Sequence, residues 1–255
     1  MLRAGLVSIT FRALSPADII GLVRETGLEG IEWGGDVHAP HGDEKKAEEV
    51  GRRTREAGLL VAAYGSYYKA GKSETEGLSF EAVLTSAKAL GAPTIRVWAG
   101  PKGSAESDEN LRAQVEDDLQ RISTRAAVEN ITISLEYHHG TLTDTLESTV
   151  ALLQKVNHPA LRTYWQPVHG RPTEEGVHQL LTLAAWLTNL HAFHWWPTHA
   201  ERWPLADGAA RWREFLQTAA ELKGDRFVML EFVQNDDVAQ FRQDAATLRA
   251  WLASI

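Results

Sequence analysis

Four polar residues, Glu136, Gln166, His191 and Glu231, stand at the downstream ends of four short apolar runs: ITISLEYH, LRTYWQP, LTNLHAFH and RFVMLEFV. Brought to one point, two carboxylates, an imidazole and a carboxamide offer oxygen and nitrogen donors to a divalent cation. The same set contains two groups able to take and return protons. The sequence has no cysteine, so disulfides and thiolate metal sites are excluded and any metal must be held by O and N ligands.

The elements that would position these residues repeat regularly. Strand-like runs fall at 4–11, 29–34, 59–66, 94–99, 131–138, 161–167, 188–195 and 226–233, separated by helix-like segments at 16–27, 43–57, 78–90, 109–129, 143–157, 173–186, 209–222 and 237–253. The spacing of about 32 residues matches a βα unit, and eight such units predict a (β/α)8 TIM barrel, an α/β fold, as one domain over 1–255. Ser15-Pro16 predicts a capped helix start, Asp144 with Glu147 resembles a capping box, and Gly27, Gly58 and Gly91 mark helix stops. A doubly wound sheet would carry a glycine-rich phosphate loop after its first strand; SITFRALSP has no glycine there.

Side chains alternate across a strand, so parity separates inward from outward. Ile131, Ile133, Leu135 and Tyr137 share one face and Thr132, Ser134, Glu136 and His138 the other, which predicts Glu136 inside the barrel near its mouth. There it either coordinates or forms a buried ion pair with an interior arginine. Glu231 is the one ionisable residue of FVMLEFV. His191 shares a face with Asn189 and Phe193, and His194 takes the other. Glu32 and Arg96 are further inward polar residues, suited to a salt bridge or hydrogen-bond network; Arg96 could alternatively bind a substrate hydroxyl, carboxylate or phosphate. Among nine tryptophans, Trp33, Trp98, Trp165, Trp195 and Trp196 fall near strand ends, where aromatic faces can wall a sugar pocket. His38, His41, Tyr67, Tyr68, His138 and His139 occupy the loops that follow strands, and loop 100–110, with Lys102, is expected to be solvated.

Bulk properties narrow the function. Hydrophobic residues make up 44% of 255, enough for a sizeable core. A formal net charge of −8 opposes a nucleic-acid footprint but not a local anion pocket. Residues 1–11 form an apolar run too short to span a bilayer, and a cytoplasmic protein without membrane contact is expected.

At these residues the chain resembles the xylose isomerase-like TIM-barrel superfamily of sugar isomerases and epimerases, which has an AP-endonuclease branch. GIEWGGDVH, RVWAG, LEYHHGTLTDT and YWQP resemble a bacterial-type subfamily of sugar phosphate isomerases/epimerases. The resemblance implies a metal site from Glu136, Gln166, His191 and Glu231, with manganese as the ion and zinc, cobalt or magnesium as alternatives. Where the family has aspartate this chain has Gln166, a neutral donor that weakens the site. His169, three residues on, matches a family substrate contact, and Arg96, Trp98, Trp33 and His138 complete the expected binding wall. Glu136 and Glu231 become the acid/base pair for proton transfer through an enediolate. The implied activity is a metal-dependent isomerase or epimerase of a small sugar or sugar phosphate, with homo-oligomers possible. A polyol or inosose dehydratase using the same chemistry, a metal-free sugar-binding barrel, and an AP-endonuclease-like phosphodiesterase are the alternatives, the last opposed by the acidic charge.

Overall fold

The structure, a computed structural model, describes residues 1–255. Its strands are β1 (Leu2–Val7), β2 (Gly30–Gly34), β3 (Leu60–Lys69), β4 (Thr94–Trp98), β5 (Thr132–Leu135), β6 (Leu161–Trp165), β7 (Leu187–Ala192), β8 (His194–Trp195), β9 (Arg202–Trp203) and β10 (Arg226–Leu230). The helices are α1 (Pro16–Glu25), α2 (Glu44–Glu56), α3 (Phe80–Leu90), α4 (Glu109–Val128), α5 (Leu146–Val156), α6 (Thr173–Leu183), α7 (Ala209–Glu221) and α8 (Val238–Leu252). Eight strands close into a barrel in the order β1-β10-β7-β6-β5-β4-β3-β2, while β8 and β9 form a separate antiparallel hairpin. The (β/α)8 fold expected from the repeat is the fold observed. No helix is long and apolar enough to cross a membrane.

Local chemistry sets the helix ends. Ser15 and Asp18 form a reciprocal capping box with Pro16 in the first turn of α1. Ser79, Asp108 and Asp237 each accept a backbone N–H at the start of α3, α4 and α8. Gly27, Gly58 and Gly91 adopt positive φ where helices stop, as expected. One cap differs from expectation. Thr145, not Asp144, caps α5 by accepting from Ser148 N–H. The Asp144 carboxylate instead accepts the Ser104 backbone N–H at 2.9 Å, tying down the loop after β4.

The chain packs as two compact units, one of residues 1–32, 54–60 and 165–255, the other of 33–53 and 61–164. In the first, register pairs Gly5 with both Gly30 and Met229, and Met229 with His191. Two residues further along, Val7 pairs with Glu32, so Glu32 and Glu231 continue the faces of Gly30 and Met229. Glycine at 30 has a packing reason: a Cβ there would lie 2.5 Å from the Phe227 ring. On the outer side, Phe241, Ala245, Leu248 and Trp251 bury the inner stripe of α8. In the second unit, Arg96 pairs with Gly65 and Ser134. Trp98 and Glu136 therefore follow on one face, and Ser134 Oγ meets Thr94 Oγ1 at 2.8 Å below them.

Candidate metal centre and active site

Within the second unit, the Arg96 guanidinium forms an ion pair with Glu136 Oε2. Trp98 Nε1 donates to the same oxygen at 2.5 Å. Arg96 is 1% exposed and Glu136 3%, so both charges are out of water and each depends on the other. The ion pair weighed for Glu136 from sequence is therefore present, and Arg96 is its partner. Arg96 also lies 5.3 Å from the Tyr67 ring centroid, and Lys69 Nζ 5.4 Å from that of Trp98. Trp98 continues into a stack with His138 (centroids 5.4 Å apart), which stacks on His139.

The backbone that carries this set is unusual at Tyr67, where φ is 54° in a non-glycine residue. The β3–β4 register shifts between Gly65 and Lys69, a bulge that re-aims the side chains beyond it. Beside it, Tyr68 turns away: its hydroxyl donates to Asp118 Oδ2 at 2.9 Å, and its ring packs edge-on against Phe80. Burial, then the neighbouring Asp118 charge, push the Tyr68 phenol up, keeping it a donor. Asp118 also accepts Gly71 N–H, and Arg121 bonds Asp118, Tyr68 and Glu74. This network anchors the turn after β3.

In the first unit, the fully buried His191 ring stands among acids. Its Nδ1 is 3.3 Å from Glu231 Oε2 and 3.2 Å from Gln166 Oε1, and its Nε2 is 3.5 Å from Glu32 Oε2. Gln166 is half-buried just past β6. Glu231 is followed by Phe232, another left-handed residue at φ 45°, whose N–H donates to Thr10 Oγ1 and whose carbonyl accepts from Trp195 Nε1. Arg202 lies over both the Trp195 and Phe232 rings. His169 stacks on Trp195 with centroids 5.3 Å apart.

His191 and Glu231 are both buried, their donor atoms 3.3 Å apart, with Gln166 Oε1 beside the same ring nitrogen. Such a group can hold a metal ion. Of the remaining residues singled out from sequence, Trp33 is wholly buried and meets His38 edge-on. Trp165 packs against Trp212 and Phe215 and donates to Gln179 on α6, so it belongs to the helix interface. Sequence reasoning missed the β8–β9 hairpin, which interrupts the seventh βα connection. The clustered WWP and RWP of 195–204, too polar and proline-punctuated to extend a strand, were the available signal. The bulge at Tyr67 and the left-handed Phe232 have no signature in residue type.

Comparison with known proteins agrees with this architecture. The family model for xylose isomerase-like TIM barrels matches residues 20–253. A 3-dehydroshikimate dehydratase of Bacillus anthracis is 29% identical over 204 residues, covering 74% of this chain and 71% of that protein. The crystal structure of the probable 3-DHS dehydratase AsbF from Bacillus anthracis superposes with a TM-score of 0.82 at 24% identity, covering 97% of this chain and 98% of that one. D-psicose 3-epimerase of Clostridium cellulolyticum H10 superposes with a TM-score of 0.78 at 13% identity, over 99% of both chains. At these identities the two superpositions show a shared fold. The family match extends over nearly the whole chain, and the protein is a member of the xylose isomerase-like TIM barrel family.

Proposed function

We propose that this chain is a divalent-metal-dependent lyase that removes water from a β-hydroxy ketone of the 3-dehydroshikimate class. The observation that carries the substrate class is the likeness over 204 residues to a 3-dehydroshikimate dehydratase. This likeness supports a dehydratase, the reaction class of the polyol or inosose alternative, over the isomerase that the sequence motifs favoured. The donor set of the first unit fits a divalent cation, because the buried Glu231 carboxylate and His191 imidazole supply a hard oxygen and a borderline nitrogen 3.3 Å apart. Gln166 Oε1, beside His191 Nδ1, is a neutral third donor. Manganese or magnesium suits such a set, and cobalt and zinc are compatible with it. When bound, the ion polarises the substrate carbonyl and stabilises negative charge on its oxygen.

The chain's own residues supply the proton transfers. Glu231 takes the proton from the carbon next to the carbonyl, and the C–H electrons move to the carbonyl oxygen. As the enolate collapses, the C–O bond at the neighbouring carbon breaks and the leaving hydroxide takes from Glu231 the proton that Glu231 removed from carbon, giving water and restoring the carboxylate. Arg96 and Trp98 keep the Glu136 carboxylate in place during this sequence. Burial of His191 and Glu231 keeps bulk water from their donor atoms.

A second reading, 3-epimerisation of a ketohexose, uses the same first step with the proton returned to carbon. It is supported by the fold shared with D-psicose 3-epimerase. Metal-stripped protein incubated in deuterium oxide with 3-dehydroshikimate or D-psicose, with and without manganese, separates the two. We expect manganese-dependent water loss from 3-dehydroshikimate. Deuterium exchange into D-psicose without dehydration of 3-dehydroshikimate would instead establish the epimerase.

A further inference from the structure

Glu32 is fully buried on β2, and a buried carboxylate is costly unless it has a task that repays desolvation. Its Oε2 lies 3.5 Å from His191 Nε2, while the opposite ring nitrogen faces Glu231 and Gln166. A neutral imidazole has one N–H donor and one lone pair, and whichever nitrogen holds the proton leaves the other free to coordinate. A carboxylate on the Nε2 side selects the tautomer whose Nδ1 lone pair points toward Glu231. Carboxylates placed behind metal-ligating histidines act in this way, orienting the ring and raising its basicity.

A second consideration is charge. Glu136 is already offset by Arg96, and Gln166 contributes none. We propose that Glu32 is a positioning residue of the metal site: it fixes the His191 ring with Nδ1 toward the ion, and it supplies from behind the imidazole the negative charge that Gln166 lacks. The proposal rests on the metal-dependent reading above. Glu32 does not touch the ion; it acts through His191.

Manganese binding to the full-length, metal-stripped protein tests this by calorimetry, with nitrogen-15 NMR of the His191 ring as the second readout. Glu32→Gln, which keeps the shape and removes the charge, should weaken manganese affinity by about 10- to 100-fold. Glu32→Met, which also removes the acceptor, should in addition shift the ring away from the Nε2–H tautomer expected of the parent protein. Adding Gln166→Asp to Glu32→Gln should recover most of the lost affinity and gain more than Gln166→Asp gains in the parent, an excess that a purely structural role for Glu32 does not produce. Affinity in Glu32→Gln within about threefold of the parent overturns the proposal, against the tenfold or greater loss typical of such second-layer partners. Failure of Gln166→Asp to restore binding overturns its charge component. If the parent binds no manganese, the metal-dependent reading falls too; if the parent binds and Glu32→Gln binds equally, only the role of Glu32 falls.

Discussion

Glu136 and Glu231 both stand just beyond the downstream end of a barrel strand, yet their surroundings differ in kind. Glu136 has its own cation in Arg96 and an indole N–H from Trp98, so its charge is met by the protein itself. Glu231 faces the His191 imidazole, whose other nitrogen faces Glu32, so two buried acids share one ring. The first arrangement is complete within the fold. The second carries more negative than positive charge, as a site built to receive a cation does. Two glutamates of similar burial thus stand in different electrostatic settings: one is paired with a guanidinium, the other shares an imidazole with a second carboxylate.

The largest test of this contrast is Glu231→Gln. Turnover should fall by about 10²- to 10⁴-fold, the range for loss of a general base, while the melting temperature measured without metal stays level or rises. A stability loss with intact turnover would reverse the assignment. Arg96→Met should do the opposite of Glu231→Gln to stability: uncovering the buried Glu136 costs about 3–5 kcal/mol in denaturant melts. Combining Arg96→Met with Glu136→Gln should restore most of that loss. A smaller effect is expected for Trp98→Phe, which removes one donor to a charged oxygen, worth about 1.5–3 kcal/mol, and should lower kcat about tenfold or more. KM should move less, because the indole acts on Glu136.

The smallest effect concerns a fourth buried carboxylate, Asp244 on α8, whose hydrogen-bond partners are a backbone N–H and an amide. Its Oδ1 accepts Leu205 N–H and Gln240 Nε2, and burial is the main cause that raises its pKa. A carboxyl raised on folding binds its proton more tightly in the native state, so stability is greatest below the unfolded pKa and is lost as pH rises through the folded pKa. Asp244→Asn keeps both acceptor contacts, so its melting temperature should exceed the parent's at neutral pH and converge with it in acid. A constant difference across pH would show that Asp244 titrates alike in both states.

The barrel was legible because helical and strand periods alternate eight times and the capping residues agree with them, from the Ser15 box to Gly91. The strand-end positions of Glu136, His191 and Glu231 followed from the same alternation, and parity put Glu136 and Ser134 on one face. What escaped were features set by partners distant in sequence. Arg96 could be marked as inward-facing, but its pairing with Glu136 depends on neighbouring strands being in register. Thr145 displaced Asp144 as a cap because the Asp144 carboxylate had a competing backbone donor at Ser104. Glu32 read from sequence as one more buried polar residue, and only the imidazole opposite it gives it a task.

On the proposed function, His191 and Glu231, with Gln166 beside them, hold one divalent ion. Manganese titration of metal-stripped protein by calorimetry, on the parent and on His191→Ala, tests it most directly. A single manganese per chain is expected in the parent, with loss of that binding in His191→Ala and the fold retained by circular dichroism. No binding to the parent, or equal binding to both, would contradict it.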